Sequence, residues 1–480
     1  MTLDTDRGKN DPMAMGLIPP SSLVKKTRCA PKRIGRIQRG TSLTNATQLI
    51  EEALDNWSKK SCISFKNVMK PEDIDYILFD SVANKTRCTA ELGRQGGGQT
   101  ININPGCLNI RTITMLIGRT LGFIYEVDRE DRKDYIIIDL NKIDPIYGSE
   151  ISETINADDF NISYEYGSVM HFYPDEFKSS RVEGPTFITK DLNYQATIGS
   201  SIEPSFYDLM ALNKFYCNDS CKEIISYCNN FGYPNPSDCD TCICPSVYGG
   251  QKCQDSHEDT EICSSEISIQ EINEKANPIS IHSPGWPDKN YQGDNCNWIF
   301  KAKCSNNSMG KLRIEINATN FDILKATTGQ CIHWLEIKYK KDQAMTGLRF
   351  CGTMPNIITL DSEWENLAIS FQSDIFPNFL QNQSALFKIG FEATVTLVPN
   401  SCDEEKLREN NMFTPWSNWS PCSEPCGGCG IQKRIRKCLF LCYDQKDCPC
   451  RPVETEYRDC NPYLCDITTK YDCFISTNNM

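Results

Sequence analysis

Apolar and polar positions change register several times along this chain, and each change marks a change of element. In "NATQLIEEALDNWSKKSC" the residues Leu49, Ile50, Leu54 and Trp57 recur at the spacing of one helical face, with Thr47 as a cap candidate. "GGGQTININPGC" reads as a glycine-led strand with Ile101 and Ile103 on one face. "TITMLIGRTLG" is a mostly apolar helix, and Gly122 supplies its C-terminal stop. A charged loop follows, then the strand-sized run "YIIIDL", far short of the roughly 18–20 apolar residues of a membrane span. Residues 31–217 thus read as a core-bearing α+β domain. Residues 263–396 show many short strand-like runs between turn signals, the pattern of an all-β sandwich. Residues 1–30 are polar, contain proline and read as poorly ordered.

Composition refines this division. A chain of 480 residues splits into several domains of roughly 100–200 residues each. The net charge of −13 gives no electrostatic reason to expect nucleic acid, and no run is long enough for a membrane span. Of 27 cysteines, 4 lie in residues 1–216 and 23 in residues 217–480, which points to disulfide-stapled modules in an oxidising compartment. Nine Asn-x-Ser/Thr sequons agree, at Asn45, Asn56, Asn84, Asn161, Asn218, Asn306, Asn317, Asn382 and Asn418. Residues 1–30 nevertheless show no apolar signal core, since "MAMGLI" is short and runs into two prolines. The expected localisation is secreted and extracellular, with an N-terminus read as incomplete or misassigned. An odd cysteine count leaves at least one thiol unpaired or intermolecular.

The cysteine-rich part divides further. Cys221, Cys228, Cys239, Cys242, Cys244 and Cys253 fall within 33 residues, too few to hold a core, so disulfides must hold residues 218–254. The Cys-x-Cys, then eight residues, then Cys spacing resembles an EGF-like module, which implies the pairs Cys221–Cys239, Cys228–Cys242 and Cys244–Cys253. In residues 263–396, "SPGWPDKNYQGDNCNWIF", "CIHWLEIKY", "RFCG" and "ISFQSD" resemble a CUB domain. That resemblance implies Cys331–Cys351 and Cys263–Cys296, and leaves Cys304 without an obvious partner. It argues against the family's calcium site, because Asp374 keeps one ligand position while Trp334 stands where an Asp is expected. In residues 412–466, "WSNWSPCSEPCGGCGIQKRIRKC" spaces Trp416 and Trp419 to stack on Arg434 and Arg436. This resembles a thrombospondin type 1 repeat and fits its tryptophan mannosylation pattern. Cys429, Cys442, Cys448 and Cys450 include more than that family's framework needs, and the tail 467–480 adds Cys473; with Cys29 and Cys304 these have no assigned partner.

The stretch "TITMLIGRTLGFIYEVDREDRKDYI" bears on chemistry. Together with "YEYGSVMHFYP" and "GSSIEPSFYDLMALNKFYC" it resembles the astacin metallopeptidases. That family reads His-Glu-x-x-His-x-x-Gly-Phe-x-His-Glu, then Arg-x-Asp-Arg-Asp-x-Tyr. Two His on one helix face and a third beyond a glycine turn hold zinc, and the Glu is the general base. Gly122, Phe123, Glu126, Arg129, Asp131, Arg132 and Tyr135 match the scaffold, and Ser168, Met170 and His171 match the Met-turn beneath the metal position. The resemblance implies disulfides Cys62–Cys217 and Cys88–Cys107, and its whole order, peptidase then EGF, CUB and thrombospondin modules, resembles the long astacins of roundworms.

The reactive residues depart from that pattern. Met115, Arg119 and Tyr125 stand at the three zinc-ligand positions, Leu116 at the general base and Phe172 at the Met-turn Tyr. The chain has four His, at 171, 257, 282 and 333, so three imidazoles cannot be assembled in residues 31–217. Met is a soft, poor zinc ligand, Arg is a fixed cation, and Leu moves no proton. The expectation is therefore no catalytic zinc and no cofactor, with Met115 and Leu116 filling the space and Arg119 pairing with an acid such as Glu126, whose family counterpart faces the mature N-terminus. No Ser/His/Asp or Cys/His set is tied to a motif, and "GRQGGGQ" reads as a loop rather than a phosphate loop. The resemblance implies a secreted pseudoprotease that binds extracellular matrix or secreted proteins, or a decoy that holds them in the cleft. The alternative, a working zinc endopeptidase, needs a site these residues do not build. "KRIRKC" offers a small patch for sulfated glycan, although its ordinary role is the arginine ladder.

Overall fold

The computed structural model describes residues 32–34, 44–67, 76–81, 88–105, 108–147, 151, 154–155, 157, 160, 162–218, 220–221, 228–257, 269–287, 295–305, 310–325, 331–354, 356–373, 390–399, 401–402, 417, 419–420, 422–423, 430–437 and 453–460. Residues 1–30 and 467–480 lie outside them, as do Cys107, Cys263, Asp374, Trp416, Cys429, Cys442, Cys448 and Cys450. Among the described residues no helix is long and apolar enough to cross a membrane. The chain divides into one unit of residues 1–303 and 310–398 and another of residues 304–309 and 399–480.

The first unit begins with α1 (Thr44–Ser58) and a four-stranded parallel sheet of β1 (Lys32–Ile34), β2 (Phe65–Asn67), β3 (Tyr76–Ser81) and β4 (Gly98–Ile103), in the order β2-β1-β3-β4. Helix α1 starts at Thr44, so Thr47 lies inside it rather than capping it. The reason is Ala46, which extends the buried face of Ile50, Ala53 and Trp57 back by one turn. The Asn56 sequon lies buried on this helix at 3% exposure, which leaves no accessible amide there; Asn218 is exposed. Helix α2 (Ile110–Leu121) is capped by Asn109, which accepts from the Thr112 backbone at 2.8 Å, and ends at Gly122 in the left-handed region, φ 107°. Trp57 joins the helices by donating Nε1–H to the Thr114 carbonyl at 2.9 Å. Helix α3 (Phe206–Tyr216) closes the domain, and Cys62–Cys217 ties its end to the start of the sheet region.

Beyond α3, a short segment carries little core and three disulfides, Cys221–Cys239, Cys228–Cys242 and Cys244–Cys253. Val247, Tyr248 and Cys253 bury themselves against Ile299 and Ala368 of the following sandwich. That sandwich has a five-stranded sheet in the order Gln270–Asn273, Asn295–Lys303, Asn366–Gln372, Trp334–Lys338 and Leu348–Phe350. A second sheet runs Ile279–His282, Glu392–Leu397, Leu312–Ile316 and Ile358–Asp361. Alternate residues such as Phe300, Ile314, Leu335, Ile369, Phe371 and Phe391 fill the space between the sheets. Cys331–Cys351 staples one edge. Cys88 and Cys296 are also disulfide-bonded, while Cys107 and Cys263 fall outside the described residues.

The sandwich packs on the N-terminal domain through a buried polar contact. Arg349 gives Nε to Glu336 at 2.9 Å and Nη1 to Ser200 and Ser201 at 2.9 and 3.0 Å, and stacks on Trp334 at 4.2 Å. The neighbouring Leu348 is buried in the N-terminal domain's own core.

In the second unit, Cys304, for which the family resemblance offered no obvious partner, pairs with Cys402 across 98 residues of sequence. Local spacing could not supply a bond of that separation. Strands Gly430–Lys437 and Val453–Cys460 pair antiparallel, and Cys422–Cys460 ties their end. Arg434 and, from the facing strand, Arg458 flank Trp419 at 4.7 and 4.2 Å. The partner on the facing strand follows from the antiparallel register, in which Arg458 stands opposite Gln432.

Candidate functional site

Helix α2 carries Arg111, Met115 and Arg119 four residues apart, on one face. The Met-turn lies beneath it. Asp208 of α3 accepts from Ser168 Oγ at 2.7 Å and from the Val169 backbone at 3.0 Å, and also closes a capping box with Ser205. One carboxylate therefore fixes both the helix start and the turn. Met170 is then pressed against α2 at Gly118. A Cβ at Gly118 would lie 2.6 Å from Met170 Sδ and 2.9 Å from Trp57 Cζ2, so only glycine permits this approach.

His171 is the imidazole of this domain, and both its nitrogens are engaged. Nδ1 meets the Phe172 carbonyl at 2.9 Å, so it carries the hydrogen, and Nε2 accepts from the Tyr164 hydroxyl at 2.8 Å. Burial lowers its pKa to about 4, keeping it neutral.

The five positions that the family motif gives to zinc chemistry form a packed cluster instead. Met115, Leu116 and Phe172 are buried. Tyr125 packs on Phe172 with ring centroids 4.6 Å apart, and Phe172 continues to Phe177 at 4.8 Å. The Arg119 guanidinium lies over the Tyr125 ring at 4.2 Å. Burial raises the Tyr125 pKa, so it stays a neutral phenol. A thioether, a guanidinium and a neutral phenol do not fit a zinc ion, which wants deprotonated N, O or S donors.

Arg119 points inward, and its nearest acid is Asp128 at 3.8 Å rather than Glu126. Both acids follow α2 closely in sequence, but Glu126 and Asp128 share one 3-10 turn (Glu126–Asp128) that sends their side chains apart. The Glu126 side chain is only 12% exposed and faces Arg129 at 3.6 Å. It lines a cavity of about 30 Å³, room for roughly one water, with Arg129, Glu165 and Asp208. Burial raises Glu126 to about 8 and Glu165 to about 7. Glu165 accepts from the backbone N–H of Gly167 at 2.9 Å and of Thr346 in the sandwich at 3.2 Å.

Two further residues, Arg111 and Glu176, complete the cluster and carry no motif signal of their own. Arg111 gives Nη2 to the His171 carbonyl and stacks on Tyr173 at 3.9 Å. Glu176 lies within electrostatic reach of Arg111, and burial raises its pKa despite that charge. The position of Arg111, one turn before Met115, was the available clue.

Residues 33–217 match the astacin peptidase family, residues 270–389 match the CUB domain and residues 414–465 match the thrombospondin type 1 domain. The chain is 33% identical over 448 residues to zinc metalloproteinase nas-36 of Caenorhabditis elegans, an alignment that covers 88% of this chain and 69% of that protein. It is 30% identical over 314 residues to zinc metalloproteinase nas-34 of the same species, covering 65% of this chain and 48% of that one. Among solved structures, High choriolytic enzyme 1, a hatching enzyme zinc-protease of Oryzias latipes (Medaka fish), is 27% identical with a TM-score of 0.34, covering 39% of this chain and 88% of that one. Disulfides together with CUB and thrombospondin type 1 domains are features of extracellular proteins.

Proposed function

We propose that this chain, which belongs to the astacin family, is a secreted member that has exchanged hydrolysis for binding. One observation carries the proposal: the Arg119 guanidinium stacked on Tyr125 where the family motif places two zinc ligands. A fixed cation there repels a metal, and Leu116 beside it has no proton to give or take. The cleft keeps the helix, the glycine stop and the Met-turn, so the scaffold that presents a peptide is retained while its chemistry is absent. The small disulfide module, here read as EGF-like, with the CUB and thrombospondin domains would hold this cleft among extracellular matrix or secreted proteins. The relatives nas-36 and nas-34 are named zinc metalloproteinases, which supports the alternative of a working zinc endopeptidase.

A rescue variant tests the choice. Restoring His at 115, 119 and 125, Glu at 116 and Tyr at 172 should confer stoichiometric zinc binding that the parent chain lacks. A parent chain that binds zinc equally well would reject the proposal.

A further inference from the structure

The strand pair of the second unit has one edge covered and one edge open. The covered edge belongs to Gly430–Lys437. Along it Ser417, Ser420 and Ser423 donate their backbone N–H to the carbonyls of Ile435, Lys433 and Ile431, at 2.8, 2.8 and 3.2 Å. Each serine Oγ also accepts the N–H of that same residue, at 3.0, 3.1 and 2.9 Å. Ile431, Lys433 and Ile435 therefore turn their backbone groups away from Val453–Cys460, while Gln432, Arg434 and Arg436 turn theirs toward it. These three stand opposite Arg458, Glu456 and Glu454. It follows that Thr455, Tyr457 and Asp459 direct their N–H and C=O groups outward, where no described residue meets them.

Exposed edges of this kind are ordinarily blunted by proline, a bulge or a very short strand. This one runs 8 residues with no proline, no glycine and no break in register. Thr455, Glu456, Tyr457 and Arg458 are all exposed, Tyr457 at 65%. Cys422–Cys460 and the serine-braced neighbouring strand already hold it extended, so pairing has little chain order left to impose.

We propose that this edge pairs with the same edge of a second copy of the chain, antiparallel about a two-fold axis at Tyr457. Charge selects that partner and that register. With Tyr457 opposite Tyr457, Thr455 exchanges backbone hydrogen bonds with the second copy's Asp459, and Glu456 stands opposite the second copy's Arg458. Two-fold symmetry repeats each pairing on the other side of the axis. The neighbouring registers that keep the hydrogen bonds set Glu456 against Glu456 or Arg458 against Arg458, which repel. A slip of one residue sets outward groups against inward ones and loses the bonds. Within one copy, Glu456 uses Oε2 to accept from Arg434 Nε at 2.6 Å, and Arg458 gives Nε to Gln432 at 3.1 Å. No described residue bonds to Glu456 Oε1 or to the Arg458 Nη groups, which are the atoms the crossed pairs use. A contact of one strand pair is small, so it belongs to the weak, concentration-dependent class. The inference stands apart from the zinc content of the first unit.

Sedimentation velocity on the full chain over about 1–100 μM tests it, with the average sedimentation coefficient expected to rise with concentration. Tyr457→Pro deletes an outward N–H and no bond within the strand pair, so it should weaken association about tenfold or more while Trp419 fluorescence stays that of the parent. Photo-oxidative dityrosine cross-linking of the parent chain reads the register without any substitution. Mass spectrometry of the linked peptides should find Tyr457 of one copy joined to Tyr457 of the other, and this alone decides if Tyr457→Pro disturbs the module. A parent chain that stays monomeric over the whole range would overturn the inference and leave the edge to a strand of another protein. Association unchanged in a natively folded Tyr457→Pro chain, or cross-linked dimers without a Tyr457–Tyr457 peptide, would overturn it equally.

Discussion

Arg349→Met should destabilise the first unit by about 3–5 kcal/mol, the range for breaking a buried ion pair from one side. Arg349 is 9% exposed and its partner Glu336 4%, so the carboxylate left behind would be desolvated. Only Lys338, at 3.5 Å from Oε1, and the Gly347 backbone N–H at 3.0 Å would remain to face it. A second route gives a similar figure. Burial alone would raise the Glu336 pKa, but Arg349 and Lys338 outweigh it and hold the carboxyl at about 2, against an ordinary 4.5. That difference is worth about 3 kcal/mol at neutral pH. Its sign follows from a depressed acid: the stabilisation is present above pH 4.5 and is lost as pH falls towards 2. Thermal unfolding at pH 7 should show the Met variant melting about 10 °C lower. The gap to the parent should narrow as the pH is taken from 5 to 3. A loss under 1 kcal/mol, or a gap independent of pH over that range, would refute the assignment of Arg349 as the clamp between the two domains.

Gly118→Ala should cost about 1–3 kcal/mol by overpacking, because the new methyl meets Met170 and the rigid Trp57 ring; equilibrium denaturation measures it. Trp419→Ala should weaken the second unit by about 1–2 kcal/mol through loss of two cation–π stacks, seen as faster amide exchange in strands Gly430–Lys437 and Val453–Cys460. Glu126 has a folded pKa raised from 4.5 to about 8 by burial, so the folded state keeps a proton the unfolded chain loses. Parent stability should therefore fall between pH 4.5 and 8, and Glu126→Gln should reduce that fall in a pH series of melting curves, with Glu165 and Asp128, also raised by burial, supplying the rest.

Much of the first domain was legible because its signals are local. The apolar helix that Gly122 ends, the paired Ile101 and Ile103, and the tight cysteine spacing of residues 221–253 each depend on a few neighbouring residues. Cys62–Cys217, across 155 residues, came only from the family resemblance, and bonds between distant parts that no such pattern supplies were not legible. Cys304 meets Cys402 across 98 residues, and Arg349 reaches Ser200 and Ser201 from another domain. The site stands between these cases. That Met115, Leu116, Arg119, Tyr125 and Phe172 occupy the reactive positions follows from the motif. Which acid faces Arg119 does not, because a single 3-10 turn decides between Glu126 and Asp128. Arg111 and Glu176 lie outside any motif, and only the folded helix face and Met-turn bring them within electrostatic reach of each other.

Metal content and peptidase activity of the folded chain together bear on whether this fold still hydrolyses peptides. A chain whose reactive positions are Met115, Leu116, Arg119, Tyr125 and Phe172 should carry far less than one zinc per molecule and should leave a peptide substrate intact after prolonged incubation with added zinc. One zinc per chain with cleavage that a chelator abolishes would contradict it.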